Sequence, residues 1–230
     1  HRLSVGLDAS ENRIRAVRDG TVPPAGESFP SKPFPDTTYR LAGAFVQSEM
    51  ELGAFTFLPA VRLDHDALDA SPAGYIGSVV SSSDHALTPR LAALWRASEA
   101  LQPYAQWARG FRAPTPDQVN NGFTNPTAFY PSLGNPNLRP ERAESVELGL
   151  RGRAAAAGLR WQVAAFDNRY RDFISQQQVG GSFRPGDPAV FQSINLDNAR
   201  IRGVEARLQG ATEVPDLTWR VALAAQRGHS

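Results

Sequence analysis

The chain has 230 residues, with 24 basic and 23 acidic side chains and no cysteine. The balanced charge leaves no basic surface to recruit nucleic acid, and the missing cysteine excludes disulfides, thiolate metal sites and a cysteine nucleophile. No apolar run approaches the roughly 20 residues that a transmembrane helix needs. The sequence therefore predicts either a soluble protein or one that crosses a membrane with strands.

The first predicted strands show how apolar and polar side chains alternate. Residues 2–9 form the first strand, and residues 41–52 show the clearest period of two, with alanine, valine, methionine and leucine on one face and glutamine and glutamate on the other. Phe45 is an aromatic exception on the polar face. Gly53 gives a short turn, and residues 55–64 return with the same alternation.

Six further strands follow, which makes about nine in all. They cover residues 87–97, 104–111, 145–153, 159 to about 165, 199–209 and 217–224. In the seventh strand the alternation slips at Phe166 and Tyr170. We interpret the slip as a β-bulge or as the point where the strand rises above the lipid.

The connections between these strands alternate in length. The short ones fall at 53, 98–102, 154–158 and 213–216, and the long ones at 19–36, 71–84, 114–144 and 179–191. Short turns at one end and long loops at the other are typical of an antiparallel transmembrane β-barrel, whose apolar positions face lipid and whose polar positions face the lumen. A soluble antiparallel sandwich also mixes loop lengths and stays open as an alternative.

An odd number of strands does not close a bacterial single-chain barrel. The chain also begins within a predicted strand and shows no charged and apolar leader. We therefore expect one all-β domain over residues 1–230 that is a partial barrel and an internal piece of a longer protein.

Two short motifs bracket the longest loop. Residues 111–114 are Phe-Arg-Ala-Pro and residues 135–138 are Asn-Pro-Asn-Leu. This pair resembles the FRAP and NPNL boxes of TonB-dependent outer-membrane receptors, in particular the haem, haemoglobin, transferrin and lactoferrin group. The segments 34–37, 44–47, 58–64, 166–174 and 198–205 resemble parts of the same receptors.

The resemblance implies a barrel of about 22 strands with an N-terminal plug, in the outer membrane of a Gram-negative bacterium. Such a receptor is not an enzyme. It would lie in the lipid bilayer, bind haem or a haem-carrying protein, and import haem as a transported ligand with energy from the TonB complex. This chain would hold the middle and late barrel, without the plug domain or the TonB contact motif. Import of a siderophore or other metal chelate is the alternative, and a soluble all-β binding or enzyme domain is the alternative from another class.

The resemblance also suggests where iron would bind. Many such haem receptors carry a histidine between the boxes, whereas this chain has Asn125, and an amide is a poor haem ligand. Tyr130 is the candidate iron ligand, because a phenolate is a hard oxygen donor that suits ferric iron. Phe123 and Phe129 are expected to pack on the porphyrin face. If Tyr130 binds iron, a second axial ligand would come from the plug. The alternative is that Tyr130 is one of several loop aromatics that order the loop or touch a protein partner.

Arg112, Asn120 and Asn121 are predicted polar contacts to the ligand. For Arg112 we favour a structural role, in which it pairs with Glu141 or Glu144 at the base of the loop, over pairing with a haem propionate.

No catalytic or metal site is predicted. Residues 83–85, Ser-Asp-His, are triad residue types, but neighbours in an extended loop point in different directions. His85 is kept as a contact at the rim. In residues 64–66, Asp-His-Asp, we expect His65 to point away from both carboxylates.

Two groups of strand residues are assigned to the two faces of the predicted barrel. Glu147 and Glu205 alternate with apolar neighbours and are expected to line the lumen rather than to act as acids or bases. The four tryptophans, Trp95, Trp107, Trp161 and Trp219, all fall in predicted strands. We expect them at the bilayer interfaces.

Overall fold

The computed structural model shows an all-β chain with one short helix, and it describes residues 1–155, 158–211 and 217–229. The elements are β1 (Arg2–Ile14), β2 (Asp36–Leu52), β3 (Phe55–Ser71), β4 (Ser82–Trp95), β5 (Gln102–Arg112), α1 (Pro116–Asn120), β6 (Gly122–Asn125), β7 (Tyr130–Leu133), β8 (Glu141–Ala154), β9 (Leu159–Gly180), β10 (Val190–Ala211) and β11 (Thr218–His229). No helix in the described ranges is both long and apolar enough to cross a membrane.

Nine long strands form one antiparallel sheet in which each strand pairs with the next along the chain. The order is β1-β2-β3-β4-β5-β8-β9-β10-β11, and the short strands β6 and β7 attach to it through a parallel pairing of β7 with β10. Within the described residues, β1 and β11 each have one neighbouring strand. The nine predicted strands are confirmed as the long strands, β6 and β7 were not predicted, and the sheet is a curled part of a β-barrel.

The connections divide the sheet into a turn end and a loop end. At the turn end, β2 and β3 are joined by two residues, and Gly53 takes φ of 59°, which costs glycine little because it has no Cβ. At the loop end, β1–β2, β3–β4, β5–β8 and β9–β10 are joined by long segments. The predicted alternation of short and long connections is confirmed for the described turns, and the turn predicted at 213–216 lies outside the described residues.

The two faces of the sheet differ in polarity. On the outer face, large apolar side chains such as Leu7, Leu63 and Leu148 are 87%, 51% and 60% exposed. On the inner face, Arg62 donates hydrogen bonds to Asp8 and Asp64. The described sheet is a single layer, so no second sheet covers the apolar face, as a soluble sandwich would require.

The inner face also holds the acidic residues that the sequence placed in the lumen. Glu147 accepts hydrogen bonds from the Tyr104 hydroxyl and the Gln106 amide on the neighbouring strand. Glu205 lies next to Arg207, with 3.6 Å between the charged atoms. Both glutamates are therefore part of a polar lining, as predicted.

Aromatic side chains on the inner face cover glycines of the neighbouring strand. A Cβ at Gly6 would lie 2.2 Å from Cε1 of Phe45, which explains the aromatic exception in β2. Phe166 covers Gly203 in the same way, at 2.7 Å. Because β9 pairs with β8 and β10 without a register shift through residues 159–170, the predicted bulge at Phe166 and Tyr170 is wrong. Covering a glycine with an aromatic ring restores the packing that the glycine lacks.

Several strands extend further toward the loop end than predicted. β1 continues to Ile14, β3 continues to Ser71, and β4 begins at Ser82. The predicted loop position of residues 83–85 is therefore corrected to β4. The apolar alternation stops before the loop end, whereas backbone pairing does not depend on side-chain polarity and continues to it.

Three of the four tryptophans mark one level of the outer face. Trp95 ends β4, and Trp161 and Trp219 lie within the first three residues of β9 and β11, all near the turn end. Trp107 lies near the middle of β5. The positions of Trp95, Trp161 and Trp219 agree with a ring of aromatic side chains at one membrane interface. Trp107 lies closer to the loop end and is not part of that ring.

Candidate functional site at the loop end

The connection between β5 and β8, residues 113–140, is the centre of the loop end, and we call it the loop hub. It consists of α1, a hairpin of β6 and β7, and the return to β8. The side chain of Gln118 accepts a hydrogen bond from the Thr115 backbone, and Pro116 occupies the first helical turn, so the helix start is capped. Asn120 and Val119 in this helix are among the most buried residues, at 2% and 6% exposure.

The first motif closes the base of the loop hub. Arg112 donates two hydrogen bonds to the Glu141 carboxylate, of 2.6 and 2.5 Å, across β5 and β8. Glu141 also accepts the Ile174 backbone N–H at 2.7 Å, while Glu144 instead pairs with Arg109 on the outer face. Arg112 therefore pairs with Glu141 at the base of the loop, as the structural interpretation of this residue predicts.

The pKa of Glu141 reflects these contacts. Burial alone raises it, but the hydrogen bonds from Arg112 and from the Ile174 backbone outweigh burial and leave the pKa below its ordinary value. These hydrogen bonds stabilise the carboxylate form of Glu141 at the loop end. Through them, Glu141 on β8 links β5 and β9.

The second motif ties the loop hub to β10. The Asn135 side chain donates to the Ser193 carbonyl at 2.9 Å and accepts the Asn137 N–H at 3.0 Å, while its backbone N–H reaches the Gln118 carbonyl. Just before it, a Cβ on Gly134 would lie 2.2 Å from the Val119 carbonyl oxygen. The asparagine and the glycine thus fix the return path of the chain under α1.

Asn120 corrects the predicted set of ligand contacts. Its side chain accepts the Val80 N–H and donates to the Val80 carbonyl, both at 2.8 Å, and its own carbonyl accepts from the Tyr75 hydroxyl. Because Asn120 is buried and its amide oxygen and nitrogen both bond Val80, the side chain is not accessible to a ligand. Asn120 joins the loop hub to the β3–β4 loop.

The other two predicted asparagines shape the hairpin. Asn121 accepts the Phe123 N–H at 2.9 Å and donates to the Ser132 hydroxyl at 3.1 Å. Asn125, in place of the expected histidine, accepts the Ala128 N–H at 3.0 Å and so begins the turn of the hairpin. Both side chains are half-buried and engaged within the loop.

Four rings from two loops form an aromatic cluster around Tyr130. The ring centroid of Tyr130 lies 6.0 Å from Phe123, 6.4 Å from Phe183 and 5.9 Å from Phe191. Phe183 and Phe191 belong to the β9–β10 connection and the start of β10, and the sequence did not connect them with Tyr130. The parallel pairing of β7 with β10 brings them together, and the sequence holds no signal for that pairing.

A third loop adds a cation to the cluster. The Arg18 guanidinium lies 5.1 Å from the Phe123 ring and 5.7 Å from the Phe29 ring, and it pairs with Glu27 at 2.6 Å. These residues lie between β1 and β2 and were not predicted. The backbone of the same loop accepts the Gly122 N–H at Pro33. Three long loops therefore meet at the pair of Phe123 and Tyr130, with Arg18 on the Phe123 side and Phe183 on the Tyr130 side.

The Tyr130 hydroxyl is chemically available. Among the described residues it has no hydrogen-bond partner, and the residue is half-buried. Phe129, by contrast, takes φ of 52°, is 37% exposed and makes no ring contact in the part of the chain that the structure describes. Its carbonyl instead accepts the Ala189 N–H at 2.9 Å. Phe123 thus belongs to the aromatic cluster around Tyr130, whereas Phe129 lies outside it.

The histidine segments lie away from this cluster. His85 and His65 face each other across β4 and β3 on the outer face, and Asp84 and Asp66 face each other on the inner face. His65 therefore points away from its neighbouring carboxylates, as predicted. His85 likewise faces away from the lumen, which corrects its proposed place at the rim. The described residues hold no group of three side chains able to bind a metal ion.

The geometry combines one hard oxygen donor with flat apolar surfaces and a nearby guanidinium. A phenol among aromatic rings suits a planar aromatic macrocycle that carries a ferric ion, because the rings pack on its face while the oxygen binds the metal. The arrangement supplies no nucleophile paired with a base within the described aromatic cluster. The aromatic cluster is therefore a candidate binding site.

Comparison with known proteins places this fold in a family. The sequence profile described as "TonB dependent receptor-like, beta-barrel" matches residues 1–227. The chain is 32% identical over 126 residues to Hemoglobin-haptoglobin utilization protein B of Neisseria meningitidis serogroup C, a match that covers 48% of the chain and 15% of that protein. It is also 32% identical over 108 residues to Vitamin B12 transporter BtuB of Vibrio vulnificus, covering 47% of the chain and 15% of the transporter.

A solved structure supports the fold over nearly the whole chain. The hemophore receptor HasR of Serratia marcescens, solved as a double mutant with its hemophore HasA and heme, matches with a TM-score of 0.71 and 16% identity. That match covers 99% of this chain and 42% of the receptor. The curated relatives are much longer than the chain, which matches about 15% of their length.

Proposed function

The chain belongs to the TonB-dependent receptor β-barrel family, and from this premise we propose that it is a segment of a receptor that binds and imports haem, or haem taken from a carrier protein. The receptor lies in the outer membrane of a Gram-negative bacterium, with the loop end outside. Energy comes from the TonB complex through parts of the receptor beyond this segment. Haem is the transported ligand, and the segment has no catalytic role.

The aromatic cluster carries the proposal. Tyr130 holds a phenol oxygen that has no hydrogen-bond partner among the described residues, and its ring lies among Phe123, Phe183 and Phe191, so the oxygen binds ferric iron while the rings pack on the porphyrin. Arg18 lies over Phe123 and donates to Glu27 through one nitrogen, which leaves its other nitrogens to pair with a haem carboxylate. Arg112 does not serve this purpose, since Glu141 occupies its guanidinium. The names of the haemoglobin-related relatives support the same ligand.

The test is Tyr130→Phe in the complete receptor, because this change removes the phenol oxygen and keeps the ring. We expect haem affinity to fall about tenfold or more, which corresponds to ~1.4 kcal/mol, and the absorption of a phenolate bound to iron to disappear. Tyr170→Phe is the matched control, since Tyr170 contacts Phe173 on the inner face, outside the cluster. An unchanged haem spectrum and affinity in Tyr130→Phe would remove the iron ligand from the proposal.

A second candidate is import of a siderophore or another metal chelate, and the similarity to a vitamin B12 transporter favours it. In that case the two motifs serve only the architecture of the loop hub. Growth of a strain that depends on this receptor separates the candidates. Growth on haem as the sole iron source supports the first, and growth on a chelate but not on haem supports the second.

A further inference from the structure

Three pairs of arginines face each other across neighbouring strands on the outer face. The pairs are Arg142 with Arg171, Arg169 with Arg200, and Arg202 with Arg227. They occupy the three successive strand interfaces of β8, β9, β10 and β11, and we call them the arginine cluster. Like charges directly opposite in a sheet are destabilising. Such a repeated arrangement is unfavourable unless an anion lies between the guanidinium groups.

The protein itself neutralises little of this charge. Two carboxylates lie within the cluster: Asp167 pairs with Arg200 and Arg169 and stands opposite Arg202, and Glu144 stands opposite Arg169 but pairs with Arg109. The other four arginines of the cluster have no ion pair among the described residues, and these are Arg142, Arg171, Arg202 and Arg227. The arginine cluster therefore carries a local excess of positive charge.

The cluster lies directly at the edge of the apolar outer face. Val146 lies four residues from Arg142 on β8 and Val204 lies two residues from Arg202 on β10, and they are 40% and 53% exposed. Ten residues separate Leu159 from Arg169 on β9, and at ~3.3 Å per residue with a tilt of ~40° this is roughly 25 Å of height. That height equals a typical lipid-facing band. The guanidinium groups thus stand at the level of lipid headgroups on the loop side.

The same level of the sheet is neutral elsewhere. On β1, β2 and β3, Arg40 donates to both Glu11 and Asp69, and Arg13 pairs with Glu11. The positive excess found on β8–β11 is therefore absent from the same level of β1–β3 and is not a general property of the outer face. This paired group provides an internal control for experiments.

We propose that the arginine cluster binds the phosphate groups of lipid headgroups in the membrane leaflet at the loop end. A guanidinium forms two parallel hydrogen bonds to a phosphate, and a phosphate between two opposed arginines removes their mutual repulsion. The apolar residues just below hold the acyl chains of the same lipid. The proposal rests on the membrane-spanning barrel and not on the identity of the imported ligand.

The experiment uses the complete receptor in detergent, without haem, and adds lipid A, a diphosphorylated glycolipid. We expect lipid A to stay bound in native mass spectrometry and to raise the thermal unfolding midpoint by about 3 °C or more. The double variants Arg142→Gln/Arg171→Gln and Arg202→Gln/Arg227→Gln should each reduce retained lipid about tenfold. The matched control, Arg13→Gln/Arg40→Gln, should retain it.

Two further arms make the outcome decisive. Without lipid, the cluster variants should unfold at the same temperature as the wild type or higher, because they remove like-charge pairs. Arg→Lys variants of the same positions should retain more lipid than the glutamine variants, because the charge remains, and less than the wild type, because an ammonium group does not form two parallel hydrogen bonds to a phosphate. Equal lipid retention by cluster and control variants overturns the proposal. It is also overturned if dephosphorylated lipid A, or inorganic phosphate alone, raises the unfolding midpoint as much as lipid A does.

Discussion

The guanidinium of Arg112 and the carboxylate of Glu141 form a two-pronged ion pair that joins the strands on either side of the longest loop. Glu141 is 9% exposed and also accepts the backbone N–H of Ile174, so one carboxylate links β5, β8 and β9. Because the loop hub begins and ends at this pair, its position relative to the barrel depends on it. The stability of the loop end should therefore be sensitive to either partner.

Replacing Glu141 by glutamine tests this pair. We expect a loss of ~1–3 kcal/mol in stability of the loop end, because Arg112 loses a charged acceptor while the buried site keeps its volume. Limited proteolysis of residues 113–140 measures the effect. Glu144→Gln is the control. Its partner Arg109 is exposed and lies 3.6 Å away, so we expect this variant to lose less than ~0.5 kcal/mol in stability. Equal protection of Glu141→Gln and the wild type would contradict the anchoring role.

The same pair predicts a direction of pH dependence. The pKa of Glu141 is lower in the folded protein than its ordinary value, so the stability it adds is fully present above the ordinary pKa. It is lost as the pH falls through the lowered value. Proteolysis of the loop hub between neutral pH and the ordinary glutamate pKa should thus stay slow, and it should accelerate only in stronger acid. A constant rate down to the strongest acid tested would contradict this.

Asn120 is expected to matter for folding and not for ligand contact. Asn120→Ala leaves the N–H and the carbonyl of Val80 without partners in a site that is 2% exposed, at a cost of ~1–3 kcal/mol. Hydrogen exchange at the Val80 amide should accelerate. Asn125→Ala, which removes one hydrogen bond to Ala128 at a half-buried turn, should leave Val80 protected. Unchanged exchange at Val80 in Asn120→Ala would show that this contact is not formed.

Gly134 is required by space and not by backbone conformation. A Cβ would lie 2.2 Å from the carbonyl oxygen of Val119, so in Gly134→Ala either α1 or the returning chain must move. We expect a destabilisation of ~1–3 kcal/mol from this overlap. Gly180→Ala is the control, because no atom lies within 4 Å of its new Cβ. Urea unfolding followed by tryptophan fluorescence compares the two, and similar midpoints would argue against the close approach.

The polarity of the two faces predicts opposite effects of a new charge. Leu148→Arg puts a guanidinium on the lipid-facing side of β8 and should cost ~2–4 kcal/mol in a bilayer. Ser145→Arg puts the same group on the polar inner face, near Glu147, and should be tolerated. Folding into lipid vesicles, measured by resistance to protease, separates the variants. If both folded equally well in vesicles and in water, the soluble all-β alternative would be favoured.

Part of the loop end followed from the sequence. The two motifs located the loop, and the expected pairing of Arg112 with Glu141 follows from residues that flank the same loop on adjacent strands. The role of Asn120 did not follow, because its partner Val80 is 40 residues away in another loop. Phe183 and Arg18 were missed for the same reason. A pattern of residue types does not state which loops touch.

The nine long strands, the alternation of turns and loops, and the face to which Glu147 points could all be predicted from the amino-acid pattern. These properties are local, because side chains alternate with a period of two and turns are encoded by the residues within them. Three contacts became apparent only in the folded chain. They are the ring contact of Tyr130 with Phe191, the packing of Phe166 over Gly203, and the position of Arg142 opposite Arg171. Register and loop contacts are set by pairing between distant segments, and one residue of shift changes every neighbour across a sheet.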